Sequence, residues 1–220
     1  MSFARFVWLL QKKRLWLSRS DLLGDPWEIA LAGDQLAHVI SRHPPRDILS
    51  PEPHEGARER SERITKEWRR RTYVNCWSAS KHESDALWRI YCRSVEGVAI
   101  QTTFAELRDS VEPCALFRVT YDIPGKRKVT PTLSDLVSKK RPMFEYEHEV
   151  RVVHFDDAEP PLEIPGYPLG WDSEKNLESI RVHPEADDSF METVRGVVGQ
   201  YAPALLDHIA WSDMETPPPF

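Results

Sequence analysis

The sequence has no CxxC pair, and its three cysteines, Cys76, Cys92 and Cys114, are an odd number. A disulfide framework and a structural zinc site are both disfavoured on that ground. Each cysteine sits in an apolar stretch and reads as core. A reducing cytoplasm fits this usage. No apolar run reaches membrane-spanning length, and the N-terminus lacks the layout of a secretion signal. The expectation is a soluble cytoplasmic protein that does not use a membrane. No Walker-type loop and no GxGxxG occur, which disfavours nucleotide-triphosphate chemistry and a dinucleotide-binding Rossmann fold. The histidines show neither HxxxH nor HExxH spacing, so no metal site is expected. A net charge of −6 does not suit a chain built to coat nucleic acid.

What is abundant is proline, with eighteen residues, and tryptophan, with eight, in a chain of 220. Many prolines mean many loops and short elements. Many tryptophans mean a large aromatic core or surfaces on which flat ligands stack. Two basic clusters stand out, Lys126-Arg127-Lys128 and Lys139-Lys140-Arg141. They read as solvated loop charge or as phosphate binders.

Helical spacing of Phe3, Phe6, Val7 and Leu10 predicts a first helix capped at Ser2. Alternation over Arg14–Ser18 predicts a strand. Asp25-Pro26-Trp27-Glu28 has the order of a capping box, as do Ser80–Glu83 and Thr103–Glu106. His43–Gly56 is a Pro-rich loop or lid. Ala57–Arg71 is a charged helix expected on the surface. Strands are expected at Thr72–Trp77, Gly97–Thr103, Leu116–Tyr121 and Ile180–His183. A short helix follows near Leu133–Lys140, and Pro184–Tyr201 is a late helix. Strands and helices intermingle without regular βαβ alternation. This predicts a single α+β domain over residues 1–213, with a mixed or mostly antiparallel sheet and surrounding helices. Residues 214–220 form a Pro-rich tail.

The stretch Phe144–Phe155, FEYEHEVRVVHF, reads as one strand with Glu145, Glu147, Glu149 and Arg151 on a single face. Half-buried strands do place charges toward water. Folding, however, does not ask for like charges two residues apart. Arg151 can hold one carboxylate and leave another for chemistry. Trp88 and Tyr91, three apart on a helix, share a face and read as a core contact or a stacking wall. Ser78 ends a strand beside Trp77. Arg19 is a guanidinium at a strand end, free to pair with Asp21 or to hold a phosphate.

Four blocks resemble the bacterial family called domain of unknown function 2971. They are LWLSRSDLLGDPWE, CWSASKHESDALWRIYCRSVEGVAIQTT, KRPMFEYEHEVRVV, and SIRVHPEADDSFMETV with the later WSD. Order and spacing agree over nearly the whole chain, with Cys76, Trp77, Glu83, Ser84, Trp88 and Tyr91 the most specific. The resemblance implies the α+β architecture and singles out Glu147, Glu149 and Arg151 rather than Glu145. It implies no particular reaction. The family's short opening strand, with a basic residue and a tyrosine, has no counterpart ahead of Met1.

Three functional readings follow. In the first, the order of elements is similar to the ADP-ribosyltransferase plan, and NAD is the substrate. Glu149 is then the main catalytic carboxylate and Glu147 assists. Ser78 orients the nicotinamide ribose, Trp77, Trp88 or Tyr91 stacks, Arg151 holds a carboxylate, and Arg19 binds pyrophosphate. The acceptor is protein or nucleic acid. In the second, Glu147, Glu149 and Asp25 hold Mg²⁺ in a nucleic-acid-processing effector. In the third, Trp88 and Tyr91 form a non-catalytic recognition pocket. On the first reading Glu149→Gln preserves shape and is expected to keep the fold.

Overall fold

The computed structural model describes residues 1–25, 27–29, 55–92, 94–122, 133–158 and 162–215. The Pro-rich stretch from His43 to His54, the basic triplet Lys126-Arg127-Lys128 and residues 216–220 lie outside these. Helices and mostly antiparallel strands intermingle in an α+β fold. The described residues fall into two compact units. The first draws on Met1–Leu15, Ser80–Glu112 and Pro168–Phe220, the second on Trp16–Ala79 and Pro113–Tyr167.

In chain order the strands are β1 (Arg14–Arg19), β2 (Thr72–Ser78), β3 (Val98–Gln101), β4 (Ala115–Arg118), β5 (Thr120–Tyr121), β6 (Lys139–Lys140), β7 (Glu149–Phe155), β8 (Gly166–Gly170), β9 (Ser179–Val182) and β10 (Ile209–Trp211). The main helices are α1 (Phe3–Lys12), α2 (Ala57–Arg71), α3 (Asp85–Tyr91), α4 (Phe104–Ser110), α5 (Leu133–Val137), α6 (Ser173–Asn176) and α7 (Asp188–Tyr201).

In the first unit β9 is central, antiparallel to β3 and parallel to β10. The apolar stripe of α1 buries Phe6, Leu9 and Leu10, and α7 buries Phe190, Met191, Val194 and Val198. Phe3 meets Phe190 edge-on at 5.2 Å. The box at Thr103 forms as expected. Thr103 Oγ1 accepts the Glu106 N–H at 3.0 Å, and Glu106 Oε2 accepts the Thr103 N–H at 3.3 Å. Thr103→Ala is expected to cost about 0.5–2 kcal/mol, read as a lower urea midpoint at unchanged slope. An unchanged midpoint would contradict the cap. The box expected at Ser80–Glu83 does not form. The helix begins at Asp85, and Ser84 Oγ accepts the Leu87 N–H at 3.4 Å. Glu83 instead accepts from Trp88 Nε1 at 2.9 Å and from the Asp213 N–H at 2.9 Å.

The second unit is built on a sheet of order β4-β7-β2-β1-β8. Strand β7 is central and antiparallel to both β2 and β4. It is buried from Glu149 through Val153, so neither face of it looks to water there. Gly166 permits the close approach of β8, because a Cβ there would collide with the Trp16 ring. Helix α2 is charged along most of its length, yet it is not merely a surface element. Ile64 and Trp68, four apart on one face, are buried against Val74 and Val153. Trp68 packs on Phe155 at 4.9 Å between ring centroids. The reading of α2 as a surface helix is therefore corrected: two apolar residues anchor it. Among the described residues no helix is long and apolar enough to cross a membrane.

Candidate functional site

The expected strand Phe144–Phe155 is two structures. Pro142–Glu147 is a turn of 3₁₀ helix started by its proline, and His148 ends it in the left-handed region at φ 43°. The strand begins only at Glu149. Glu145 is exposed, while Glu147 and Glu149 are buried. The single four-residue face read from alternation is thus corrected. Glu147 reaches the site from the turn, and Glu149 and Arg151 reach it from the strand.

Arg151 lies wholly inside the protein. It grips Glu149 with two parallel bonds, Nε to Oε1 at 2.6 Å and Nη2 to Oε2 at 3.0 Å. Its Nη1 donates to the Val137 carbonyl at 3.1 Å. Lys140 arrives on β6, whose pairing with β5 sets it beside Tyr121. Its Nζ lies 2.6 Å from Glu147 Oε2, 3.1 Å from Glu149 Oε2 and 3.2 Å from Glu28 Oε1. Glu28 Oε1 also sits 3.3 Å from Arg151 Nη2. The Tyr121 hydroxyl oxygen accepts the Glu149 N–H at 2.7 Å. Three carboxylates therefore share two cations, which leaves one negative charge in excess. Among the described residues the buried Glu28 Oε2 has no hydrogen-bond partner.

The electrostatics follow from this geometry. Burial works against the Glu149 charge, but the Arg151 hydrogen bonds and charge, with Lys140, outweigh it and hold the carboxyl below its ordinary value. Burial likewise works against the Lys140 charge, and Glu149, Glu147 and Glu28 outweigh it, so its pKa is raised. Arg151 is raised in the same way, chiefly by Glu149 against burial. These directions favour the charged forms of Glu149, Lys140 and Arg151.

The β2–β7 register sets Ser78 opposite Glu149 and Cys76 opposite Arg151. Directly opposed residues share a sheet face, so both belong with the cluster. Trp77, opposite Val150, turns to the other face. Cys76 is exposed, which corrects its reading as core. Desolvation and the Glu149 carboxylate push its thiol well up. Because the residue keeps open surface, Glu149 is the firmer of those causes. The other two cysteines do face inward. Cys92 is buried, and desolvation pushes the half-buried Cys114 up to about 11.

Arg19 is not part of the cluster. Arg19 is spent on Asp21, with bonds of 2.7 and 3.2 Å, and register places it with Tyr73 and His154, toward the opposite end of β7. It offers no free guanidinium to a pyrophosphate. Trp88 and Tyr91 belong to the other compact unit. They do not share an environment: Trp88 is buried against His183, and Tyr91 is exposed. The described basic cluster is neutralised as well. Lys139 pairs with Asp135 at 3.0 Å, and Arg141 pairs with Asp25 through bonds of 2.9 and 3.2 Å. Asp25 accepts the Trp27 N–H at 3.0 Å, and Trp27, Glu28 and Ile29 form a turn; any helix expected beyond Ile29 lies outside the described residues. Among the described residues no group of three or more His, Cys, Asp or Glu side chains is disposed to hold a metal.

Lys140 and Glu28 were not singled out as site residues from the sequence. The nearest signal was a charged residue flanking an apolar short element, which Lys140 shares with many surface lysines. No protein-family model, curated protein or solved structure matches the chain.

Proposed function

We propose that the protein is an NAD-using transferase or glycohydrolase on an ADP-ribosyltransferase-like plan, with its carboxylates at the junction of the 3₁₀ turn and β7. The reading is carried by the excess negative charge of the Glu28, Glu147 and Glu149 cluster at the strand end where Ser78 lies opposite Glu149. Breaking the nicotinamide–ribose bond sends the bonding electron pair out with nicotinamide and leaves an oxocarbenium-like cation on the sugar. A fixed anionic site stabilises that cation more than it stabilises the ground state. Water or an acceptor nucleophile then adds to the sugar carbon and loses a proton.

The two glutamates exchange the roles expected from the sequence. Both Glu149 oxygens are bonded to Arg151, so Glu149 acts as the positioning carboxylate that fixes Lys140 and Arg151. Among the described residues Glu147 is held through Oε2, by Lys140. Its Oε1 is the oxygen offered to a ribose hydroxyl. Ser78, exposed and opposite Glu149, is the hydroxyl that orients the ribose. Arg19, Trp88 and Tyr91 have no part in this reading, and Trp77 is on the other sheet face. The chelation reading is not favoured, because Asp25, Glu147 and Glu149 already serve as anions to protein cations.

The test is nicotinamide release from NAD. Glu147→Gln is expected to slow it by about 10²–10³-fold, the scale of losing one transition-state contact, while the melting temperature stays near that of the wild type. Wild-type protein that releases no nicotinamide, or a Glu147→Gln variant as fast as wild type, defeats the reading.

A further inference from the structure

Trp27 lies in the stretch read from the sequence as a helix cap, but the structure gives it other surroundings. It is 54% exposed, which is unusual for the largest apolar side chain. The Arg141 guanidinium lies 5.9 Å from the Trp27 ring centroid and 5.5 Å from that of Phe144. Two bonds to Asp25 fix that guanidinium in place. Lys140, from the carboxylate cluster, lies 4.7 Å from the same Phe144 ring. Trp27 also immediately precedes Glu28, whose Oε2 is buried with no partner among the described residues. An exposed indole therefore stands beside a cluster with one negative charge in excess. The Asp25–Arg141 pair adds one charge of each sign and leaves that excess unchanged.

We propose that Trp27, backed by Arg141 and Phe144, is the wall on which the protein stacks a flat, positively charged heteroaromatic ring of the pyridinium class. This rests on the NAD reading above and names the ring-binding residue for that site. Stacking supplies contact with the ring face. A cationic ring is favoured over a neutral one by the indole π-system and by the unbalanced carboxylate. Trp88 and Tyr91, the stacking residues expected from the sequence, are not needed.

The probe is nicotinamide methylated on its ring nitrogen, a pyridinium cation, compared with neutral nicotinamide by calorimetry on the full chain. The wild type is expected to bind the cation about tenfold more tightly than the neutral ring. Trp27→Ala is expected to lose about tenfold or more of the cation's affinity, and Trp27→Phe to retain most of it. Because Trp27 is exposed, the alanine variant should melt near the wild type, and circular dichroism checks that it folds. Equal binding of the cation by wild type and Trp27→Ala overturns the proposal, as does failure of the wild type to bind either ring. Failures of the two ideas are separable. A wild type that binds the cation through Trp27 but releases no nicotinamide from NAD keeps the wall and ends the reaction. A Trp27→Ala variant that cleaves NAD as fast as wild type keeps the reaction and ends the wall.

Discussion

Glu149→Gln is expected to unfold at a much lower temperature than the wild type, although it preserves the shape of the side chain. Glutamine cannot return the two charged bonds of Arg151, and it leaves a guanidinium with no exposed surface facing a neutral amide. Breaking a buried pair from one side costs about 3–5 kcal/mol, most of it the penalty of the stranded charge. For a chain of this size that is a melting-temperature drop of roughly 6–20 °C. The double variant Glu149→Gln/Arg151→Met should recover much of the loss, because it removes both charges and leaves Lys140 with Glu28 and Glu147. The pH dependence has a definite sign. The folded-state pKa of Glu149 is depressed, so its contribution is fully present above the unfolded value of about 4.3 and is lost as pH falls through the folded value. The gap between wild type and Glu149→Gln should therefore narrow in acid. A single variant as stable as the wild type would mean that the pair carries little, and that the shape-preserving expectation from the sequence was right after all.

Lys140→Met should reverse the direction in which acid acts. In the wild type Lys140 has a raised pKa, so its contribution is intact below the unfolded value of about 10.4 and fades only as pH rises through the folded value. Without the ammonium, Glu147 loses its cation, and Glu28 and Glu149 are left to share Arg151. Burial and like charge then raise the carboxyl pKa values of the cluster. Groups raised in this way destabilise the fold while ionised, and the cost is relieved as they protonate. The variant should lie about 3–5 kcal/mol below the wild type near neutral pH. It should gain on the wild type as pH falls toward the ordinary glutamate value of about 4.3. Denaturant melts across that range decide it. A deficit that stays constant with pH would mean that Lys140 contributes packing rather than charge.

Some of this was plain in the residues. The strand Thr72–Ser78 and the helix Asp188–Tyr201 follow local patterns that packing did not overrule. The Thr103 cap depends only on neighbours three residues apart, so the sequence suffices for it. The segment before β7 did not yield to the same reasoning. Phe144, Tyr146 and His148 alternate with glutamates as a strand would. Pro142, however, opens a 3₁₀ turn, and a left-handed His148 turns the chain before pairing begins. Three missed strands, Lys139–Lys140, Gly166–Gly170 and Ile209–Trp211, are short and carry little alternation, and the first reads from the sequence as the end of a helix.

The residues by themselves determined that acids and a guanidinium would crowd the start of β7, because their spacing along one segment is a local fact. Tertiary structure alone decided which charges would meet them. Glu28 comes from a turn more than a hundred residues earlier in the chain, and Lys140 from a two-residue strand set in place by Tyr121. Ion pairs depend on distance through space and on exclusion of water, and neither can be read from separation along the chain.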